Sequence, residues 1–147
     1  MGAVYFYHLT RSQLPATLAT LAEKSLAAGW RVAVRGTDGA ALSALDETLW
    51  EREGFLPHGL AGGPHDALQP VLLTTGAAAN GAACVMSVNG AEIAPAEVAD
   101  LARACVIFDG HDGAALAHAR GQWKAYKDAG VEAQYWSEES GSWQKKA

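Results

Sequence analysis

The chain has 147 residues, 50% hydrophobic and 18% charged, a length that suits one domain burying about two-thirds of the surface its unfolded chain exposes. Eleven Lys and Arg against sixteen Asp and Glu give a net charge of −5 and a pI near 5.4, which argues against a surface built to neutralise DNA phosphates. No long apolar run occurs and the opening MGAVYFYHLTR lacks the basic-then-apolar order of a secretory signal, so a cytoplasmic protein with no membrane partner is expected.

Residues 3–9, AVYFYHL, are aromatic and β-branched with only His8 polar, which predicts a strand buried on both faces. Ser12 is placed to cap the following helix, Pro15 falls in its first turn, and Leu14, Leu18 and Leu21 recur at helical spacing before Gly29. WRVAV (30–34) reads as a short strand, and Thr37 precedes a second helix with Leu42, Leu45 and Leu49 on one stripe. Residues 55–70 are rich in Pro and Gly without either period and read as one long loop. VLLTT (71–75) and ACVMSV (83–88) look like strands joined by an Ala-rich connection at 77–82 that no period places. A short helix at 95–102, a buried strand at 104–108, a long helix at 112–129 closed by Gly130 and a last strand at 131–136 complete the order. The polar tail, 137–147, is expected to be mobile unless Trp143 docks.

Strands alternating with helices, several strands uniformly apolar, indicate a single three-layer α/β/α domain over 1–136 with a mostly parallel sheet. The turn after the first strand reads LTRSQLP, with neither G-x-G-x-x-G spacing nor a Lys-Ser/Thr pair. The fold is therefore Rossmann-like without a phosphate-binding loop, and no cofactor is expected. GLAGGPHD has neither a strand before it nor a helix after it and reads as a connector.

His58, His65, His111 and His118, with Cys84 and Cys105, form no C-x2-C or H-x3-H pair, so no metal site is expected. Both cysteines sit in apolar runs and read as reduced core residues. No G-x-S-x-G elbow is present. Asp109 closes a strand, where α/β sites lie, and reads either as the N-cap of the last helix or, with His111, as the centre of a small α/β enzyme, a hydrolase or nucleotide-binding protein. Trp50 lies roughly 120° from the Leu42, Leu45, Leu49 stripe; it either packs beneath the Pro-rich loop through Phe55 or lines an apolar partner pocket with it. On the last helix Leu116, Ala119, Trp123 and Tyr126 form the apolar stripe, with Arg120, Lys124 and Lys127 along one flank. That flank suits an acidic ligand, or is a solvated row near a helix C-terminus.

FYHL at the start, GWRVAV, LDETLWEREGFLPHGLAG, and AHARGQWKAYKDAG followed by a late Trp together resemble the chi subunit of bacterial DNA polymerase III, over essentially the whole chain in order. The resemblance implies a three-layer α/β fold and a non-catalytic adaptor in the clamp-loader assembly. Such an adaptor binds the acidic C-terminal tail of single-stranded DNA-binding protein and, through a separate surface, the psi subunit. It further implies a tail pocket with Trp50 and Phe55 as apolar walls, Arg120 and Lys124 as cations, and Trp123 in place of the family's usual tyrosine. Leu116 departs from a position where the family can carry a lysine, and Asp109 from one where an apolar residue would line the pocket, so weaker tail binding is expected. No residue is assigned to psi. A third reading, single-stranded DNA held directly by Trp50, Trp123 and the basic flank, predicts steep salt dependence.

Overall fold

The run at the start of the chain forms β1 (Ala3–Leu9), and its neighbours in space come from the far end of the sequence. The computed structural model describes residues 2–52 and 54–147. Among them, in chain order, come α1 (Leu14–Ala27), β2 (Val32–Arg35), α2 (Gly39–Glu51), β3 (Gly59–Leu60), β4 (Val71–Thr74), β5 (Cys84–Ser87), α3 (Pro95–Ala99), β6 (Arg103–Asp109), α4 (Gly113–Asp128), β7 (Glu132–Ser137) and β8 (Gln144–Lys145). The strands make one sheet in the order β3-β4-β2-β5-β6-β1-β7-β8, parallel throughout except for the antiparallel β7–β8 pair. The expected mostly parallel three-layer α/β fold is what forms.

Alternating side chains divide the core between the two faces of the sheet. On the first face Val32, Val34, Met86, Cys105 and Ile107 meet Leu18 of α1 and Leu42, Leu45 and Leu49 of α2. On the second, Val4, Phe6, Val85, Ala104 and Val106 meet Val98 of α3 and Ala119 and Tyr126 of α4. The second-face layer is tied to the sheet at the end of β2, where the Arg35 guanidinium donates two bonds of 2.7 Å to the Glu97 carboxylate of α3. The hydrogen-bonded pairing with Arg35 holds Glu97 below its ordinary range.

Four local expectations are corrected. β1 is fully buried on one face only: on the other Leu9 joins the core, but α1 lies over β2 and β6 and leaves Tyr5 and Tyr7 half-buried. Gln13, not Ser12, stands at the N-cap of α1 and makes no side-chain cap bond; the Ser12 hydroxyl donates instead to Glu138 at 2.7 Å. The N-cap of α4 is Asp112, which accepts from the Ala114 and Ala115 amides, and not Asp109. Within 55–70 the chain forms β3, pairing with β4 at the sheet edge, and a 3-10 turn at Asp66–Leu68; two or three residues are too few for any period to show. For the tail it is the stated exception that holds: Trp143 docks, meeting Tyr7 edge-on at 5.6 Å, and β8 pairs with β7. Cys84 and Cys105 are buried and free, and the bond with Cys84 together with burial keeps the Cys105 thiol well above the ordinary thiol range.

Candidate functional site

The α4 stripe turns toward the sheet as its spacing dictates, with Ala119 and Tyr126 buried and Leu116 and Trp123 packed on the second-face core. Trp123 meets Phe6 at 5.4 Å and Tyr135 at 5.8 Å, both edge-on. The Tyr126 hydroxyl donates to the Ile93 carbonyl at 2.6 Å, and burial, with Glu92 and Glu97 nearby, pushes its pKa up to about 12. Arg120, Lys124 and Lys127 stand exposed beside this aromatic cluster, and none takes part in a salt bridge among the described residues. Lys127 Nζ sits 5.5 Å from the centre of the Trp123 ring, close enough for a cation–π attraction.

Arg120 borders a shallow cavity of about 580 Å³ whose wall is completed by His8, Arg11, His111, Leu116 and Glu139. Arg11 reaches it from the β1–α1 turn, where its Nη2 donates to the Glu139 carbonyl at 3.3 Å. The Tyr135 phenol is raised by burial and pulled back by the Arg120 charge, which places that cation in the same field. Tyr135 Oη lies 2.9 Å from His8 Nδ1, and the His8 ring runs so close beneath Gly110 that a Cβ there would collide with it. Leu116 does line this cavity, whereas Asp109 does not. Arg11 and His8 were missed in the sequence, although both stand at the C-terminal end of β1, where α/β proteins place their sites.

Trp50 and Phe55 are together, with ring centroids 6.0 Å apart and exposures of 50% and 74%. Trp50 leans on the buried His58 ring at 4.1 Å. That ring is fixed by the Leu56 carbonyl at 2.7 Å from Nδ1 and the Asp46 carbonyl at 3.2 Å from Nε2. This shelf ends α2 on the first face near the β3–β4 edge, whereas Arg120, Trp123 and Lys124 ride on α4 over β6 and β7 on the second. The five residues do not line one pocket. A right-handed crossover sends the chain back over one face or the other according to the direction in which the next strand is added. α2 and α4 add strands toward opposite edges of the sheet and so lie on opposite faces.

Asp109 and His111 border an adjoining crevice of about 790 Å³ between the ends of β1 and β6, which shares Arg11 and His111 with the cavity beside Arg120. The helices leaving those strands pass to opposite faces there, the topological switch point of the sheet. Asp109 Oδ1 accepts from the His111 amide at 2.9 Å, and His111 Nε2 donates to the Thr10 carbonyl at 2.7 Å. His118 Nε2 bonds the Gly90 carbonyl at 3.0 Å and lies 3.1 Å from Glu92. These side chains are tied to backbone rather than to one another. Among the described residues no group of three or more His, Cys, Asp or Glu could hold a metal ion.

Over residues 1–134 the sequence matches the family described as DNA polymerase III chi subunit, HolC. The chain belongs to that family. Among curated proteins there is no match. As a chi-family protein it is an accessory subunit of DNA polymerase III, a protein of DNA replication. Among the described residues no helix is long and apolar enough to cross a membrane.

Proposed function

We propose that this chi-family protein is a non-catalytic, cytoplasmic adaptor of the clamp-loader complex whose α4 flank binds the acidic C-terminal tail of single-stranded DNA-binding protein. The observation that carries the reading is a row of cations, Arg120 and Lys124 foremost, that form no salt bridge among the described residues and stand beside the Trp123 ring in a chain of net charge −5. A tail ending in an aromatic residue and a free carboxylate after aspartates needs one apolar contact and nearby cations. Trp123 supplies the first, and Arg120, with Arg11 across the cavity, supplies the second. Trp50 and Phe55, on the other face, suit the separate apolar surface that the psi subunit would take, since exposed aromatic side chains are the usual anchors of protein interfaces. Calorimetric titration with a peptide copying the acidic tail, beside one lacking its last aromatic residue, tests the reading. Saturable binding lost in the shortened peptide is expected, and equal binding of both would overturn it.

The switch-point crevice favours a second reading, an enzyme centred on Asp109 and His111. The backbone bonds that both side chains already make weigh against it. Hydrolytic turnover of a phosphate-ester panel abolished by His111→Ala would establish it, and its absence leaves the adaptor.

A further inference from the structure

On the first face α1 lies over β2 and β6, and the space between it and the docked C-terminal segment, beside Tyr7 of β1 and Trp136 of β7, is a cavity of about 560 Å³. The rings of Tyr7, Trp30, Trp136 and Trp143 line it. Its charged lining residues are Lys24, in the last turn of α1, and Arg103, at the start of β6; among the described residues no carboxylate borders it, in a chain that carries an excess of acids. Neither cation forms a salt bridge among the described residues. The Arg103 guanidinium lies against two rings, its Cζ 4.2 Å from the centre of Tyr5 and 5.3 Å from that of Trp30. Trp143 is held in place by the β7–β8 pairing and its contact with Tyr7.

We propose that this cavity binds a nucleobase carrying a phosphate. The volume lies in the range of small-ligand sites. Indole and phenol rings stack on any base without reading its sequence. A guanidinium fixed between aromatic rings loses little freedom when it takes up an anion. Two cations match the charge of one phosphate group, whereas a longer strand needs a continuous basic track, which the −5 chain does not provide here. Free nucleotide is therefore the favoured source. The site lies on the opposite face from the α4 flank and does not depend on tail binding.

The test is a titration of the full chain, followed through its five indole N–H resonances, with deoxyadenosine monophosphate, adenosine, inorganic phosphate and a short oligothymidylate. Saturable shifts of Trp30, Trp136 and Trp143, with Trp50 and Trp123 still, are expected for the mononucleotide. Lys24→Glu should weaken the mononucleotide at least fivefold and leave adenosine unchanged. Trp143→Ala should weaken both about tenfold, with Trp143→Phe restoring most of the loss. An oligonucleotide binding no tighter than the mononucleotide supports free nucleotide, and one binding far tighter assigns the same site to single strands. The proposal is overturned by shifts confined to Trp50 or Trp123, by phosphate alone binding as well as the mononucleotide, by unchanged affinity in the Lys24 variant, or by no saturable shift at all.

Discussion

Glu138 follows β7 and its side chain is buried against the β1–α1 turn, with only 4% of the residue exposed. Its carboxylate accepts from the amides of Thr10, Arg11 and Ser12 at 3.1, 3.0 and 2.8 Å and from the Ser12 hydroxyl at 2.7 Å. Three consecutive amides aimed at one oxygen form an anion-binding nest, the kind of loop that cradles phosphate elsewhere, and here the chain fills it with its own acid. Burial alone would push the carboxyl up; the four donors outweigh it and bring the pKa from 4.5 to about 2. Because the folded value is depressed, the contribution is complete above the unfolded pKa and is lost as pH falls through the folded one. The difference corresponds to about 3 kcal/mol at neutral pH, about 1.5 kcal/mol near pH 3 and under about 0.5 kcal/mol near pH 2. Glu138→Gln keeps the shape and removes the charge, so urea unfolding of the two proteins should differ by these amounts and converge in acid. A variant within about 0.5 kcal/mol of the parent at neutral pH, or a gap that does not close with acid, would refute the argument.

Arg120→Ala and Lys124→Ala should each weaken the acidic tail peptide by about 1.5–3 kcal/mol in calorimetry, the scale of a charge-assisted hydrogen bond, with unfolding unchanged. Glu97→Ala leaves the buried Arg35 guanidinium with the Gly76 and Glu92 carbonyls but no counter-charge and should cost about 2 kcal/mol in denaturant unfolding, less than a fully buried pair because Glu97 is a third exposed. Gly110→Ala drives a methyl into His8, so a loss of about 1–3 kcal/mol is expected, with a disturbed Tyr135 environment visible in near-ultraviolet circular dichroism.

The helices and interior strands were legible because burial on a face imposes a period: Leu42, Leu45 and Leu49 are all buried where the stripe put them. Trp50 was correctly set off that stripe for the same reason. What the sequence could not yield was which face each helix would occupy. Periodicity marks an apolar side of a helix but not the side of the sheet that receives it, so a family pattern drawn along the chain gathered Trp50 and Trp123 into one pocket that the sheet divides. The Ser12 and Asp109 caps failed differently. Each side chain suits a cap, but Ser12 was drawn to a carboxylate 126 residues away and Asp109 to the turn before the helix, contacts that no local rule contains.

The separation of the two surfaces has a measurable consequence. Trp50 and Phe55 are exposed at 50% and 74% and project from the layer opposite α4, with the whole thickness of the sheet between them and Arg120. Sites that share no contact add independently, within about 0.3–0.5 kcal/mol. Trp50→Ala should therefore leave tail-peptide affinity within about twofold of the parent while weakening a psi partner by about tenfold or more, the scale expected for removing an aromatic anchor. The same variant should cost little stability, since half the indole already faces water. A tenfold loss of tail affinity would instead mean that the tail runs around the sheet edge onto the first face, or that the two faces communicate through the sheet. Either result would restore the single-pocket arrangement in function and overturn an adaptor that holds one partner on each side.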